Sequence, residues 1–222
     1  MKTGGARIAR AFFESDPLAC AEGLIGCELA WDGCSGIIVE TEAYSVQNDE
    51  ACHTFARKGA REFVATHRPG AAYIYLNYGV HWLLNVLVKG GGEDGFVLIR
   101  ALEPVRGMDK MRRRRGLQKP QALCSGPGKL SEALGVRGVD HGIDLCGHAG
   151  RGFFHGPEEV EVLTDTRIGI SKAAHLPWRF LLKGSPFVSV QPGAKIKGAT
   201  TRRTKSKGPI IKARSKRVRP GL

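Results

Sequence analysis

Residues 71–88, AAYIYLNYGVHWLLNVLV, constrain the fold more than any other part of the chain. Apolar and aromatic residues fill both halves of this stretch, and Tyr78-Gly79 interrupts them, which predicts two strands joined by a tight turn. In such strands alternate residues share a face. Tyr73, Tyr75 and Asn77 therefore lie on one face of the first strand, and in the second strand His81, Leu83, Asn85 and Leu87 share a face.

The rest of the chain predicts more strands at hairpin spacing. We expect strands at about 27–31 and 36–44, joined by Asp32-Gly33, at 95–104, and late in the chain at FLLKG and PFVSV. Helical spacing is predicted for residues 6–30, for a segment containing Val105, Met108 and Met111, and for one from Pro127 to a cap at Gly135. Residues 45–70 are predicted to form a mostly polar loop. Together these elements predict an antiparallel α+β or mostly β domain.

Positive charge is concentrated at the end of the chain. The formal net charge is +13 over 222 residues, but residues 191–222 contain eleven Lys or Arg and no Asp or Glu, so 13 − 11 leaves +2 for the remainder. This segment has almost no apolar residues, which predicts a disordered tail. It is either a solubilising tail, a site of non-specific nucleic-acid attraction, or, in a eukaryote, a nuclear-import signal.

The composition indicates an ordinary intracellular domain. Six cysteines form no CxxC pair, so we expect small buried thiols in a reducing compartment and no metal site. No apolar run approaches the roughly 20 residues that cross a bilayer, and the N-terminus lacks a secretory signal. The sequence therefore predicts a soluble protein with no membrane partner.

Three polar residues stand in runs that otherwise look buried: Glu42, Asn85 and Arg100. Burying any of them alone is costly, so each needs a partner. One interpretation is a purely structural network, such as an ion pair between Arg100 and a carboxylate. Glu40 lies two residues before Glu42 on the same strand face. It could pair structurally, or it could raise the proton affinity of Glu42 through like charge.

Several separated segments resemble one family. IVETEAY, DEACH, PGAAYIYLNYGVHWLLNV, GFVLIRALEP, CSGPGKL and RFLLKGSPFVSV occur in the order found in the alkyladenine (3-methylpurine) DNA glycosylases, over about residues 8 to 190. The resemblance implies an α+β fold: a single domain with a curved, mainly antiparallel sheet and hairpins, surrounded by helices. It assigns residues 1–190 to a glycosylase domain and leaves 191–222 as a basic tail.

The resemblance also implies roles for individual residues. Glu42 would be the general base that activates water, and Arg100 would lie near that water and the DNA backbone. The walls of the base pocket would be Tyr44, His53, Tyr75 and Asn85, with Asn85 crowding the 2-amino group of guanine. Tyr78 would be the wedge that fills the gap left in the duplex.

The implied activity is base excision without a cofactor. A monofunctional enzyme would turn alkylated or deaminated purines out of double-stranded DNA, hydrolyse the glycosidic bond and leave an abasic site. It would act as a monomer, on the nucleoid in the cytoplasm of a bacterium or in the nucleus of a eukaryote. The alternative is a non-catalytic module on the same fold that binds damaged DNA or RNA.

Overall fold

The computed structural model describes residues 5–156 and 159–193. Within them the chain forms one eight-stranded antiparallel sheet and six α-helices. The strands are β1 (Glu28–Trp31), β2 (Cys34–Ser45), β3 (Ala72–Asn77), β4 (His81–Val88), β5 (Gly95–Arg106), β6 (Arg151–Phe154), β7 (Val162–Asp165) and β8 (Arg179–Leu182). The helices are α1 (Pro17–Gly23), α2 (His53–Ala56), α3 (Lys58–Thr66), α4 (Met108–Arg115), α5 (Pro120–Leu123) and α6 (Pro127–Leu134).

The sheet has the order β3-β4-β5-β2-β1-β6, and the β7–β8 hairpin joins it through pairing of β8 with β2. Every named strand pair is antiparallel. The predicted fold class, a single α+β domain with a mainly antiparallel sheet, is confirmed. The long strand β2 is central to it, because it contacts β1 and β5 and also β8.

Pairing between β2 and β5 is irregular where both strands carry charge. Ile38 pairs with Leu102 and Glu40 with Ala101, so the register skips Val39. Thr41 then pairs with Ile99, so it also skips Arg100. Bulges of this kind bend a strand and redirect a side chain, and they are common next to functional sites. Here they accompany the approach of Arg100 to the carboxylates of β2.

The predicted hairpin in residues 71–88 is confirmed. Tyr78 and Gly79 have φ of 50° and 70°, and the Val80 N–H donates to the Asn77 carbonyl at 3.1 Å. Positive φ at both central residues suits the twist of a tight hairpin. For a tyrosine this conformation is strained, whereas for glycine it is not.

The predicted polar loop at 45–70 was wrong, because α2 and α3 lie inside it. Ala60, Phe63 and Val64 are buried on one face of α3. The Phe63 ring packs edge-on against Tyr73 at 5.1 Å. This contact belongs to a second hydrophobic cluster that fixes the two helices on the sheet, and each buried large side chain in it contributes about 2 kcal/mol.

Three other predicted elements differ from the structure. The N-terminal helical segment is divided, because Asp16 caps a new helix at Pro17 through bonds to two backbone N–H groups. Val105 is the next-to-last residue of strand β5 and is exposed rather than being part of a helix. PFVSV forms no strand: the Ser189 N–H donates to Glu40, and the Val190 carbonyl accepts a bond from Arg179. Buried charged groups thus take the backbone polar groups that a ladder would have used.

The basic segment continues outside the described residues beyond position 193. None of the helices in the described ranges is long and apolar enough to cross a bilayer. Among the same residues no three His, Cys, Asp or Glu side chains cluster as metal ligands would. All six cysteines are free thiols there.

Candidate active site

A cavity of about 310 Å³ opens between α2, the β3–β4–β5 face of the sheet and the loop after β7. All the site residues predicted from the sequence line it, except Glu42. Its lining is Tyr44, Ala51, His53, Tyr73, Tyr75, Asn77, Tyr78, Leu83, Asn85, Phe96, Leu98, Arg100, Pro127, Ile168, Gly169 and Ile170. The set is aromatic with a few polar groups, as expected of a small-molecule pocket.

Aromatic rings form one wall of the cavity. His53, the first residue of α2, packs against Tyr75 with ring centroids 4.2 Å apart and planes inclined at 60°. The His53 Nδ1 lies 3.1 Å from the Tyr73 hydroxyl. Tyr73 was not assigned a role from the sequence, although its alternation with Tyr75 places the two on one face. The wall is therefore a linked group of three rings.

Asn85 is buried in the sheet beside this wall. Its Nδ2 donates to the Tyr73 carbonyl at 3.1 Å, which fixes the orientation of the amide. Only 4% of the residue is exposed. A buried amide in this position adds a polar group to the cavity floor at a defined place.

Glu42 lies directly behind the cavity wall and is fully buried. Its Oε1 accepts the Ile168 N–H at 2.7 Å. Its Oε2 accepts the Tyr44 hydroxyl at 2.7 Å and lies 3.2 Å from Nη1 of Arg100. These three partners all line the cavity, so the carboxylate borders on it through them.

Glu40 accepts four donors and pairs structurally. Its Oε1 accepts Nε of Arg100 at 2.8 Å, Nε of Arg179 at 2.9 Å and the Ser189 hydroxyl at 2.8 Å. Its Oε2 accepts the Ser189 N–H at 2.6 Å. Oε1 therefore has three donors and Oε2 has one, so Glu40 is held by two arginines and Ser189.

Protonation at the site follows from burial and charge. Burial, assisted by Arg57, lowers the pKa of His53 to about 4, so the imidazole is neutral at pH 7. Burial raises the pKa of Tyr75 to about 12. Burial would raise the pKa of Glu40, but Arg100 and Arg179 outweigh it and the pKa is lowered. Neutral rings thus lie opposite a charged arginine–carboxylate group.

The rim of the cavity carries exposed groups. Tyr78, at the tip of the β3–β4 hairpin, is 87% exposed. The Arg57 guanidinium lies over the Tyr75 ring, 5.6 Å from its centroid. An exposed aromatic side chain and a cation beside an aromatic cavity form a surface suited to bases and phosphates.

No sequence pattern indicated two residues that support the site, Asp49 and Arg167. They form a fully buried ion pair with an Nη1–Oδ2 distance of 2.6 Å. The Arg167 guanidinium also stacks over Tyr44 at 4.6 Å. Arg167 immediately precedes the loop that lines the cavity. An arginine in the short segment DTRIG is a weak signal on its own, because nothing in its spacing predicts burial.

Comparison with known proteins matches most of the chain. A family model described as methylpurine-DNA glycosylase matches residues 11–186. A protein of Rhodopseudomonas palustris is 47% identical over 83% of this chain and 92% of its own length. One from Nitrosospira multiformis is 45% identical over 80% and 91%, and one from Rubrobacter xylanophilus is 44% identical over 81% and 95%. All three are provisionally named 3-methyladenine DNA glycosylase.

Proposed function

Because the chain belongs to the methylpurine-DNA glycosylase family and is a monofunctional DNA glycosylase, we propose that it excises alkylated and deaminated purines from duplex DNA. The observation that carries this proposal is the aromatic cavity with the Glu42 carboxylate directly behind its wall. The lesions would be purines such as 3-methyladenine, 7-methylguanine, hypoxanthine and ethenoadenine. No lysine is among the described residues that line the cavity, in keeping with hydrolysis rather than a Schiff base.

The cavity wall suits an electron-poor purine. Tyr44, His53 and Tyr75 offer aromatic faces, and such faces attract a cationic ring. The imidazole of His53 is neutral at pH 7 because its pKa is lowered to about 4, so it does not repel that charge. The buried Asn85 amide would crowd the 2-amino group of guanine and so favour adenine-type bases.

Glu42 would act as the general base. Among its described contacts Oε1 has one donor, Ile168 N–H, and a carboxylate oxygen accepts two bonds. A water at this oxygen would lie between the carboxylate and the cavity and attack the sugar carbon as the base departs. Both Glu42 and Arg100 are already held in place, so little reorganisation is needed when positive charge develops on the sugar.

A purine in a duplex is inaccessible until its nucleotide is turned out, at a cost of a few kcal/mol. Tyr78 would offset this cost by stacking in the vacated space. Its exposure at the tight turn and its position on the cavity rim support that role.

The decisive experiment compares two buried glutamates. A duplex with one hypoxanthine is incubated with excess enzyme and then treated with alkali, which breaks the strand at an abasic site. Glu42→Gln should lower the single-turnover rate constant by about a thousandfold, since general-base catalysis contributes 10²–10⁴. Glu28→Gln is the control, because Glu28 is also buried and paired with an arginine, Arg106, but lies outside the cavity.

A Glu42→Gln enzyme that cleaves at the wild-type rate would contradict the role of Glu42. Binding without strand breakage by wild type, on methylated as well as deaminated DNA, would favour a damage sensor.

The charge of the departing base predicts that cationic and neutral lesions differ in the pH dependence of cleavage. An N3- or N7-alkylated purine is already cationic and needs no acid, whereas hypoxanthine is neutral and needs ring protonation. The pH–rate profile should therefore be bell-shaped for hypoxanthine and lose its alkaline limb for 7-methylguanine. Identical profiles for the two lesions would contradict this.

The basic segment would add non-specific affinity for DNA. Truncation after Gly193, whose N–H donates to Asp165, should weaken binding to undamaged duplex and reduce its salt dependence while leaving the saturated cleavage rate unchanged.

We also propose that the protein acts as a monomer, since one chain supplies every residue of the cavity. We further propose that it acts in the bacterial cytoplasm on the nucleoid, since the relatives are bacterial. Light scattering of the free protein tests the first, and imaging of a fluorescent fusion tests the second.

A further inference from the structure

The ion pair between Asp49 and Arg167 is bidentate and fully buried. Nη1 of Arg167 lies 2.6 Å from Oδ2 of Asp49, and Nη2 lies 2.8 Å from Oδ1, so the guanidinium and carboxylate meet as two parallel bonds. Both side chains are 0% exposed. Removing two charges from water is expensive, and apolar residues of similar volume often give equal or greater stability. The pair is therefore poorly explained as a source of stability alone.

Arg167 is next to or in contact with both residues that donate hydrogen bonds to Glu42, Ile168 and Tyr44. Its own carbonyl leads directly into Ile168, whose N–H donates to Oε1 of Glu42 at 2.7 Å. Its guanidinium stacks over the Tyr44 ring at 4.6 Å, and the Tyr44 hydroxyl donates to Oε2 at 2.7 Å. The guanidinium also lies over the Trp178 ring, 5.1 Å from its centroid. Nη1 also donates to the Ala43 carbonyl, one residue after Glu42, at 2.9 Å.

Asp49 fixes the other side of the cavity. Its carboxylate accepts the Ser45 N–H at 3.3 Å and the Ala51 N–H at 3.1 Å. This turn leads through Cys52 into His53, and both Ala51 and His53 line the cavity. The pair thus connects the wall that carries His53 to the loop that carries Ile168.

We infer that Arg167 and Asp49 are positioning residues, whose ion pair holds the Ile168 N–H and the Tyr44 hydroxyl on the Glu42 carboxylate. This inference rests on the proposed role of Glu42. This positioning role requires arginine at position 167. Lysine keeps the charge, but it has no planar guanidinium to form two parallel bonds with Asp49 or to stack on the Tyr44 ring.

Two substitutions test the inference: Arg167→Lys and Asp49→Asn. Each should lower the single-turnover rate constant on a hypoxanthine duplex about tenfold or more, because hydrogen bonds to a charged group are lost or misdirected. The dissociation constant for undamaged duplex should not change. A protein that is only less stable would instead show a smaller reaction amplitude, reflecting fewer active molecules, with the same rate constant.

Arg151→Lys is the matched control. Arg151 pairs with Asp140 at 2.6 Å and with Asp32, and stacks over Trp31 at 4.7 Å, yet it lies outside the cavity. It should lose stability without losing the cleavage rate constant. In a Glu42→Gln background Arg167→Lys should cause no further fall in the rate constant, because the group it positions is gone.

The outcomes separate cleanly. If wild type does not cleave any lesion duplex, the proposed function fails. If wild type cleaves and both variants keep its rate constant, or lose amplitude alone, the inference fails while the function stands. If Arg167→Lys does not fold, Asp49→Asn decides. If neither folds, the pair serves folding and the inference is rejected.

Discussion

Strand β2 carries two buried glutamates, Glu40 and Glu42, whose surroundings differ. Glu40 and Glu42 lie two residues apart, are both fully buried, and both contact Arg100. Glu40 accepts four donors and reaches the cavity lining only through Arg100. Glu42 contacts three lining residues, and its Oε1 has one donor among the described residues. The same side chain is therefore a fixed counter-ion at position 40 and, in the proposed function, the general base at position 42.

The two carboxylates share the positive charge of Arg100. Glu40 neutralises Arg100 from one side, so that Arg100 can approach Glu42 without becoming the only partner of either group. In the proposed function the region around Glu40 is structural, and the region around Glu42 carries the reaction. Stability and cleavage measured on the same variants distinguish the roles of Glu40 and Glu42.

The largest effect should come from Glu40→Gln. This change leaves Arg179 and Arg100 buried with less counter-charge, and breaking a buried pair in this way costs about 3–5 kcal/mol. Glu42→Gln should cost less than half as much, because its backbone donor from Ile168 can bond the amide oxygen. Urea unfolding at pH 7 measures both. Equal losses from the two variants would contradict the division into support and reactive group.

Sequence patterns predicted the parts of this region that obey local rules. Period-two alternation identified the β3–β4 hairpin and placed Tyr73 and Tyr75 on one face. Polar residues within apolar runs identified Glu42, Asn85 and Arg100. The geometry brings these side chains to one cavity or, for Glu42, to its back wall. Their catalytic roles stay predictions.

The remaining features depend on contacts between distant segments. Asp49 and Arg167 are 118 residues apart, and Glu40 meets Ser189 across 149 residues. No local spacing encodes such pairs. The loss of the PFVSV strand has the same origin, because its backbone groups are bound by Glu40 and Arg179 instead of a neighbouring strand. The α3 helix was missed although Ala60, Phe63 and Val64 have helical spacing, since the polar residues around them dominate the composition.

Tyr78→Gly should separate activity from stability in the opposite sense to Glu40→Gln. Glycine relieves the positive φ of 50° at this position, so the free energy of unfolding should stay equal or rise by up to about 1 kcal/mol. Cleavage of a lesion duplex should fall about tenfold, because a stacking contact worth 1–3 kcal/mol is lost. Cleavage of a single-stranded lesion should not change.

Val139→Ala is the control for Tyr78→Gly. Val139 is also 87% exposed but lies outside the cavity, so neither stability nor cleavage should change. A Tyr78→Gly enzyme that cleaves duplex at the wild-type rate would contradict the role of a wedge.

The smallest effect concerns His53 and acid. Burial, assisted by Arg57, lowers its pKa to about 4 from an ordinary value near 6.5. Between these values the unfolded chain binds a proton that the folded chain does not, so stability falls as pH decreases from about 6.5 towards 4. His53→Gln should remove part of this slope while leaving stability at pH 7.5 within about 1 kcal/mol. Urea unfolding at a series of pH values measures it, with His175→Gln, in an exposed loop, as the control. The remaining slope should come from His141, whose pKa burial also lowers, and at still lower pH from carboxylates such as Glu40, whose pKa is lowered. A wild-type slope in His53→Gln would contradict a lowered pKa of His53 and would assign the acid sensitivity to other groups, such as His141 and Glu40.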